Sequence, residues 1–142
     1  MVACAGVSIQ WTEDLATGVQ PIDDQHRELY RQVDRLHQLM RRNQLDQVHG
    51  IVEYLQRYAL EHFAAEELEM RRTDYRGRAA HEALHKAFVD EFLRQKALLS
   101  AGISASAVVH LSAWIGAWLR DHVRGADGDL GKHLKQVYRP GA

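Results

Sequence analysis

The chain reads as an all-α protein, an antiparallel up-down-up-down four-helix bundle with an N-terminal extended arm and a short C-terminal helix. Three observations predict this. Apolar residues recur at three- and four-residue spacing along four long stretches. The connections between those stretches are short, which favours antiparallel neighbours. No stretch shows the strict apolar–polar alternation of a half-buried strand.

Residues 1–21 are expected to form the arm, with Trp11 as its one large apolar anchor and Gly18 and Pro21 marking bends. Asp23 or Asp24 offers a cap for a first helix carrying Leu29, Val33, Leu36, Leu39 and Met40, which should fade near Arg41, Arg42 and Asn43. A second helix is predicted from about Leu45 to Arg72, with Val48, Ile51, Val52, Leu55, Tyr58 and Ala59 on its apolar stripe. Gly50 weakens that helix without breaking it. Thr73 to Gly77 supplies a turn. The third helix runs from about Arg78 to Ser100, and Gly102 suits the position just past its end. Ser104 begins a fourth, rich in Val108, Leu111, Trp114, Ile115, Trp118 and Leu119 and lasting to about Arg124. After Gly125 and Gly128, Leu130 to Val137 form a short helical turn. All 142 residues are read as one domain: the arm at 1–21, the bundle at about 22–124 and a tail at about 125–142.

Hydrophobic residues make up 46% of the chain and charged residues 26%, with a formal net charge of −1. This is an ordinary globular composition. Basic residues are scattered, which argues against nucleic acid or an anionic membrane as partner. Cys4 is the only cysteine, so neither an intrachain disulfide nor a thiolate-rich metal site is available. The opening residues lack a basic start and a long apolar run, no stretch is long and apolar enough to span a membrane, and a cytoplasmic location is expected.

Five histidines and two carboxylates stand out: His26, His62 with Glu66, His81 with His85, and His122 with Asp127. Imidazole and carboxylate suit first-row transition metals, although ligand type alone leaves zinc and manganese open beside iron. Residues four apart lie on one helix face. In the predicted topology the start of the first helix, the end of the second, the start of the third and the end of the fourth share one end of the bundle. The seven groups therefore fall in the same third of its length. Asp127 is irregular, because five residues after His122 an ideal helix turns it about 140° away from the ligand face. Irregular backbone is predicted there, where Gly125 and Gly128 allow it. If two six-coordinate metals shared both carboxylates and an oxide or hydroxide bridge, about one coordination position would stay open. That suits one small exogenous ligand. The pair of Glu-x-x-His motifs of di-iron carboxylate oxidases is absent; that spacing occurs once, at Glu82 and His85. His37, His49, His110 and His133 are expected outside the cluster. Glu67 and Glu69 are expected to face solvent.

At these residues the chain resembles the bacterial hemerythrins. The likeness runs through Trp11, Gly18 and Val19, the run Ile22-Asp23-Asp24-Gln25-His26 and the run His62-Phe63-Ala64-Ala65-Glu66-Glu67. It continues through Tyr75, His81-Glu82-Ala83-Leu84-His85, Trp118-Leu119-Arg120-Asp121-His122, Asp127 and Gly131. The resemblance implies a non-haem di-iron centre, oxo- or hydroxo-bridged, that binds O2 reversibly at one iron. It implies that His81, His85 and His122 hold one iron, that His26 and His62 hold the open one, and that Glu66 and Asp127 bridge. Phe63, Phe88, Trp118 and Leu119 are expected to form a dry pocket over the open iron. Oxygen carriage, storage or delivery follows, rather than enzymatic turnover. The alternatives are an O2, NO or redox sensor acting through a partner, and a peroxidase or NO-handling enzyme.

Overall fold

A computed structural model describes residues 10–138. Four helices, α1 (Gln20–Arg41), α2 (Val48–Arg72), α3 (Arg78–Ala101) and α4 (Ala105–His122), form the bundle, and α5 (Gly128–Val137) follows α4 through a π-helical turn at Val123–Asp127. Each long helix packs against the next, and α1 closes the ring against α4. The core is largely aliphatic, with Val33 and Leu36 of α1, Val52 and Leu55 of α2, Phe92 and Leu99 of α3, and Val108 and Leu111 of α4 buried together. Among the described residues no helix is long and apolar enough to cross a membrane.

The helix ends follow local chemistry. Asn43 (φ 56°) and Asp74 (φ 51°) take the left-handed conformation after α1 and α2, a conformation that Asn and Asp tolerate better than most side chains. Behind them the amides of Gln44 and Tyr75 reach back to the carbonyls of Leu39 and Met70, at 2.8 and 2.9 Å. Ser104 caps α4 by accepting from the Ala107 amide at 3.1 Å.

Four sequence expectations need correction. First, α1 starts at Gln20, before either aspartate proposed as its cap, and Pro21 sits in its first turn. Proline's fixed φ suits that position, so it continues the helix instead of bending the chain. Asp23 has a different task. Its carboxylate is buried and accepts from the Thr17 amide, the Thr17 hydroxyl and the Gly18 amide at 2.8, 2.8 and 3.2 Å, fastening the arm to α1. Second, the arm is not wholly extended, because Glu13–Leu15 forms a 3-10 turn. Gly18 (φ +88°) provides its bend. Third, the chain after His122 does not break and restart at Leu130; the helix is continuous to Val137. The reading of Cys4 concerns residues outside those described.

Fourth, Trp11 is not the one large apolar anchor of the arm, because Leu15 in the 3-10 turn is buried in the core while Trp11 is only partly buried. Trp11 packs on the core with the Arg27 guanidinium 4.1 Å above its ring. Asp14 pairs with Arg124 at 2.6 Å.

Candidate metal centre

Two apolar clusters enclose a polar one. The main core ends on α1, α2 and α4 at Leu29, Phe63, Leu119 and Val123. A second cluster, Ile22, Met70, Leu130 and Leu134, closes the bundle end. Along the helices His26 and Glu66 fall between these two clusters, as does Asp127 beyond His122 and Val123. The seven expected donors are all buried, from 1 to 6% exposed.

Their geometry is specific. Glu66, His81, His85, His122 and Asp127 each place one donor atom within 4.8 Å of all the others, and so do His26, His62, Glu66 and Asp127. The two sets overlap only in the carboxylates. His26 Nε2 lies 2.9 Å from Asp127 Oδ2 and 3.7 Å from Glu66 Oε2; His62 Nε2 lies 3.1 Å from Glu66 Oε2. On the other side His81 and His122 stand 3.0 and 3.1 Å from Asp127 Oδ1, and His85 stands 3.1 Å from Glu66 Oε1. Despite these separations the Nε2 atoms of His26, His81, His85 and His122 and all four carboxylate oxygens have no hydrogen-bond partner. So many orphaned donors in a dry interior would be costly on their own. Lone pairs converging without pairing are the signature of a cation site. The residues present therefore fit a metal.

Asp127 reaches the cluster through the π-helical turn. Each turn there takes one more residue than an α-turn, which brings residues five apart nearly into line. The irregular backbone predicted between His122 and Asp127 takes this form.

The electrostatics agree. Burial alone would depress His26 and His81, but the carboxylates of Asp127 and Glu66 overcome it and push both up to about 9. Burial would likewise raise Glu66 and Asp127, yet the surrounding imidazoles hold both carboxyls well below their ordinary range. Burial wins only at His122, which is lowered. The pocket strongly prefers positive charge at its centre.

The outer contacts hold two findings that the sequence reading missed. His62 Nδ1 donates to Gln25 Oε1 at 2.5 Å, and His85 Nδ1 donates to Glu67 Oε2 at 2.8 Å. Glu67 is therefore not a free solvent-facing charge; its side chain is 27% exposed and turned onto His85. The sequence did carry a signal. Gln25 and Glu67 each adjoin a donor, and one residue along a helix is about 100° around it, towards the neighbouring helix. Glu69, as half-buried as Glu67, is likewise engaged, paired with Arg72 and accepting from the Tyr138 hydroxyl.

Phe63, Phe88, Trp118 and Leu119 line one apolar cavity together with Leu29 and Ile115. Phe63 stacks on His85 at 3.9 Å and Trp118 on His122 at 4.2 Å, so the cavity shares walls with the donor cluster. The space open to the centre of a water-sized sphere is about 10 Å³, close to the least that holds one water. His37, His49, His110 and His133 join neither donor set. His133 instead bonds the Thr73 hydroxyl at 2.9 Å and packs on Tyr75.

A family model described as the hemerythrin HHE cation binding domain matches residues 17–134. The chain is 30% identical over 117 residues to a bacteriohemerythrin of Pseudomonas aeruginosa, covering 82% of this chain and 75% of that protein. It is also 30% identical over 133 residues to a bacteriohemerythrin of Stenotrophomonas maltophilia, covering 91% and 86%. Among solved structures, a leucine-to-tyrosine variant of a hemerythrin superposes with a TM-score of 0.76 at 25% identity, over 90% of this chain and 98% of that one. A leucine-to-phenylalanine variant gives a TM-score of 0.80 with the same identity and coverage.

Proposed function

This chain belongs to the hemerythrin family, and we propose that it binds O2 reversibly at a non-haem di-iron centre, for oxygen carriage, storage or delivery. One observation carries this reading: two donor sets that share Glu66 and Asp127. Two cations bridged by both carboxylates satisfy that arrangement. A single ion would leave one set of imidazoles buried and unpaired. His81, His85 and His122 would hold one iron and His26 and His62 the other, which has fewer protein donors and so the open position. When bound, the iron pair supplies the electrons and the Lewis acidity that O2 binding requires.

The side chains do the rest. Asp127 and Glu66 belong to both donor sets and would each be shared between two cations, and the π-helical turn aims Asp127 inward. The hydrogen bonds from His62 to Gln25 and from His85 to Glu67 fix the proton on Nδ1, leaving Nε2 as the donor atom. Phe63, Phe88, Trp118 and Leu119 line an apolar cavity beside the donors and would keep water and protons away from it. Of the residues lining that cavity, only Trp118 carries a polar hydrogen. The cavity thus offers no side chain to relay protons, which favours reversible binding over turnover.

Anaerobic loading tests the reading. Two irons per chain should be retained. Admitting O2 should then produce a visible charge-transfer band that fades when the gas is removed. Irreversible bleaching, or retention of one iron, would overturn it.

A further inference from the structure

The two outer hydrogen bonds differ by a full charge. His85, in the three-histidine set, donates to the anion of Glu67; His62, in the two-histidine set, donates to the neutral carboxamide of Gln25. Both contacting atoms, Glu67 Oε2 and Gln25 Oε1, are acceptor oxygens, so both imidazoles carry the proton on Nδ1 and present Nε2 to Glu66, each at 3.1 Å. Among the described residues no lysine or arginine pairs with Glu67, so its charge is directed at His85. Nδ1 of His26 and of His81 has no partner at all. The support is therefore lopsided.

We propose that Glu67 and Gln25 are positioning residues that make the two halves of the centre electronically unequal. This rests on the di-iron reading above. A carboxylate behind an imidazole raises its basicity and strengthens its donation to a metal. Glu67 thereby favours the ferric state in the half held by His81, His85 and His122. Gln25 orients His62 without adding charge, and leaves the two-histidine half easier to keep ferrous. One-residue steps of opposite sense build the two contacts: Gln25, just before His26, reaches from α1 to α2, and Glu67, just after Glu66, reaches from α2 to α3.

Charge swaps separate this from a purely structural role. Glu67→Gln keeps an oxygen to accept from His85 but removes the charge, and Gln25→Glu adds one behind His62. Each variant is loaded anaerobically with iron and examined by Mössbauer spectroscopy and by redox titration against mediators. Glu67→Gln should keep two irons and favour the ferrous form about tenfold more than the parent, a rise of about 59 mV for one electron. It should perturb one of two quadrupole doublets. Gln25→Glu should lower the potential and perturb the other doublet. If both variants match the parent in potential and in both doublets, the charge asymmetry is refuted, even though the parent binds two irons and O2. If Glu67→Gln cannot hold iron, Gln25→Glu decides alone, since an unshifted potential there also refutes it. A parent that fails to take up two irons removes the di-iron reading, and this proposal with it.

Discussion

At the scale of single residues, Glu66 and Asp127 carry more than any other side chain, because each serves both donor sets. Replacing either by alanine should cost iron at both positions, with affinity falling by about 10–100-fold or more, read as iron per chain after equilibration with a chelator. Histidine variants should be milder, since each belongs to one set. Leu119 is 4% exposed and walls the cavity without offering a donor. Leu119→Ala should retain two irons, lose about 2–5 kcal/mol of stability and autoxidise faster than the parent. The decay of the oxygenated band measures this, and an unchanged half-life would exclude Leu119 from gating. The buried cluster of these seven side chains was legible in the sequence because helix periodicity and bundle topology leave few ways to bury so many such groups. Gln25, Glu67 and Asp23 were not, because their roles depend on what the adjacent helix or the arm presents to them. Periodicity within one segment carries no such information.

At the scale of elements, the arm and the C-terminal helix matter as much as the bundle. Gly131 in α5 stands against the arm; a Cβ there would lie 2.7 Å from the Thr17 carbonyl oxygen and 2.8 Å from its Cβ. Thr17 is itself fixed by Asp23. Neither side can yield cheaply, so Gly131→Ala should destabilise by about 1–3 kcal/mol, seen as a lower melting temperature with iron stoichiometry retained. A melting curve matching the parent would mean that the arm is free to move aside. Four long helices and their turns were predictable from apolar spacing, with boundaries within a few residues of those observed. The start of α1 was not, because its first turn is held by tertiary contacts to Asp23 instead of by a local cap. Irregular backbone after His122 was foreseen from a conflict, since His122 and Asp127 suit one metal in chemistry but not in α-helical phase; that it is a π-helical turn within a continuous helix was not.

At the scale of the whole molecule, folding and metal binding share the same charges. In the metal-free protein His26 and His81 are raised to about 9, above the ordinary 6.5. The stability they add is fully present below pH 6.5 and is lost as pH rises through about 9. Glu66 and Asp127 are lowered, so their contribution is present above their ordinary values of 4.5 and 3.8 and is lost as pH falls. His122, being lowered, opposes the other two histidines below pH 6.5. The metal-free protein should therefore melt highest between about pH 4.5 and 6.5 and weaken towards pH 9. The iron-loaded form should lack that alkaline decline, because metal replaces the protons. Iron uptake near neutral pH should correspondingly release protons. Melting curves in chelator across this range, and base consumption in weakly buffered iron titrations, measure the two effects.

The helix that continues from Ala105 through the widened turn to Val137 joins Asp127 of the donor cluster to the last described segment of the chain. Leu130 and Leu134 clamp that segment against Ile22 and Met70. Because the helix runs through that turn without a break, displacing its C-terminal segment would carry the Asp127 carboxylate with it, which makes the tail a mechanical handle on the buried donor cluster.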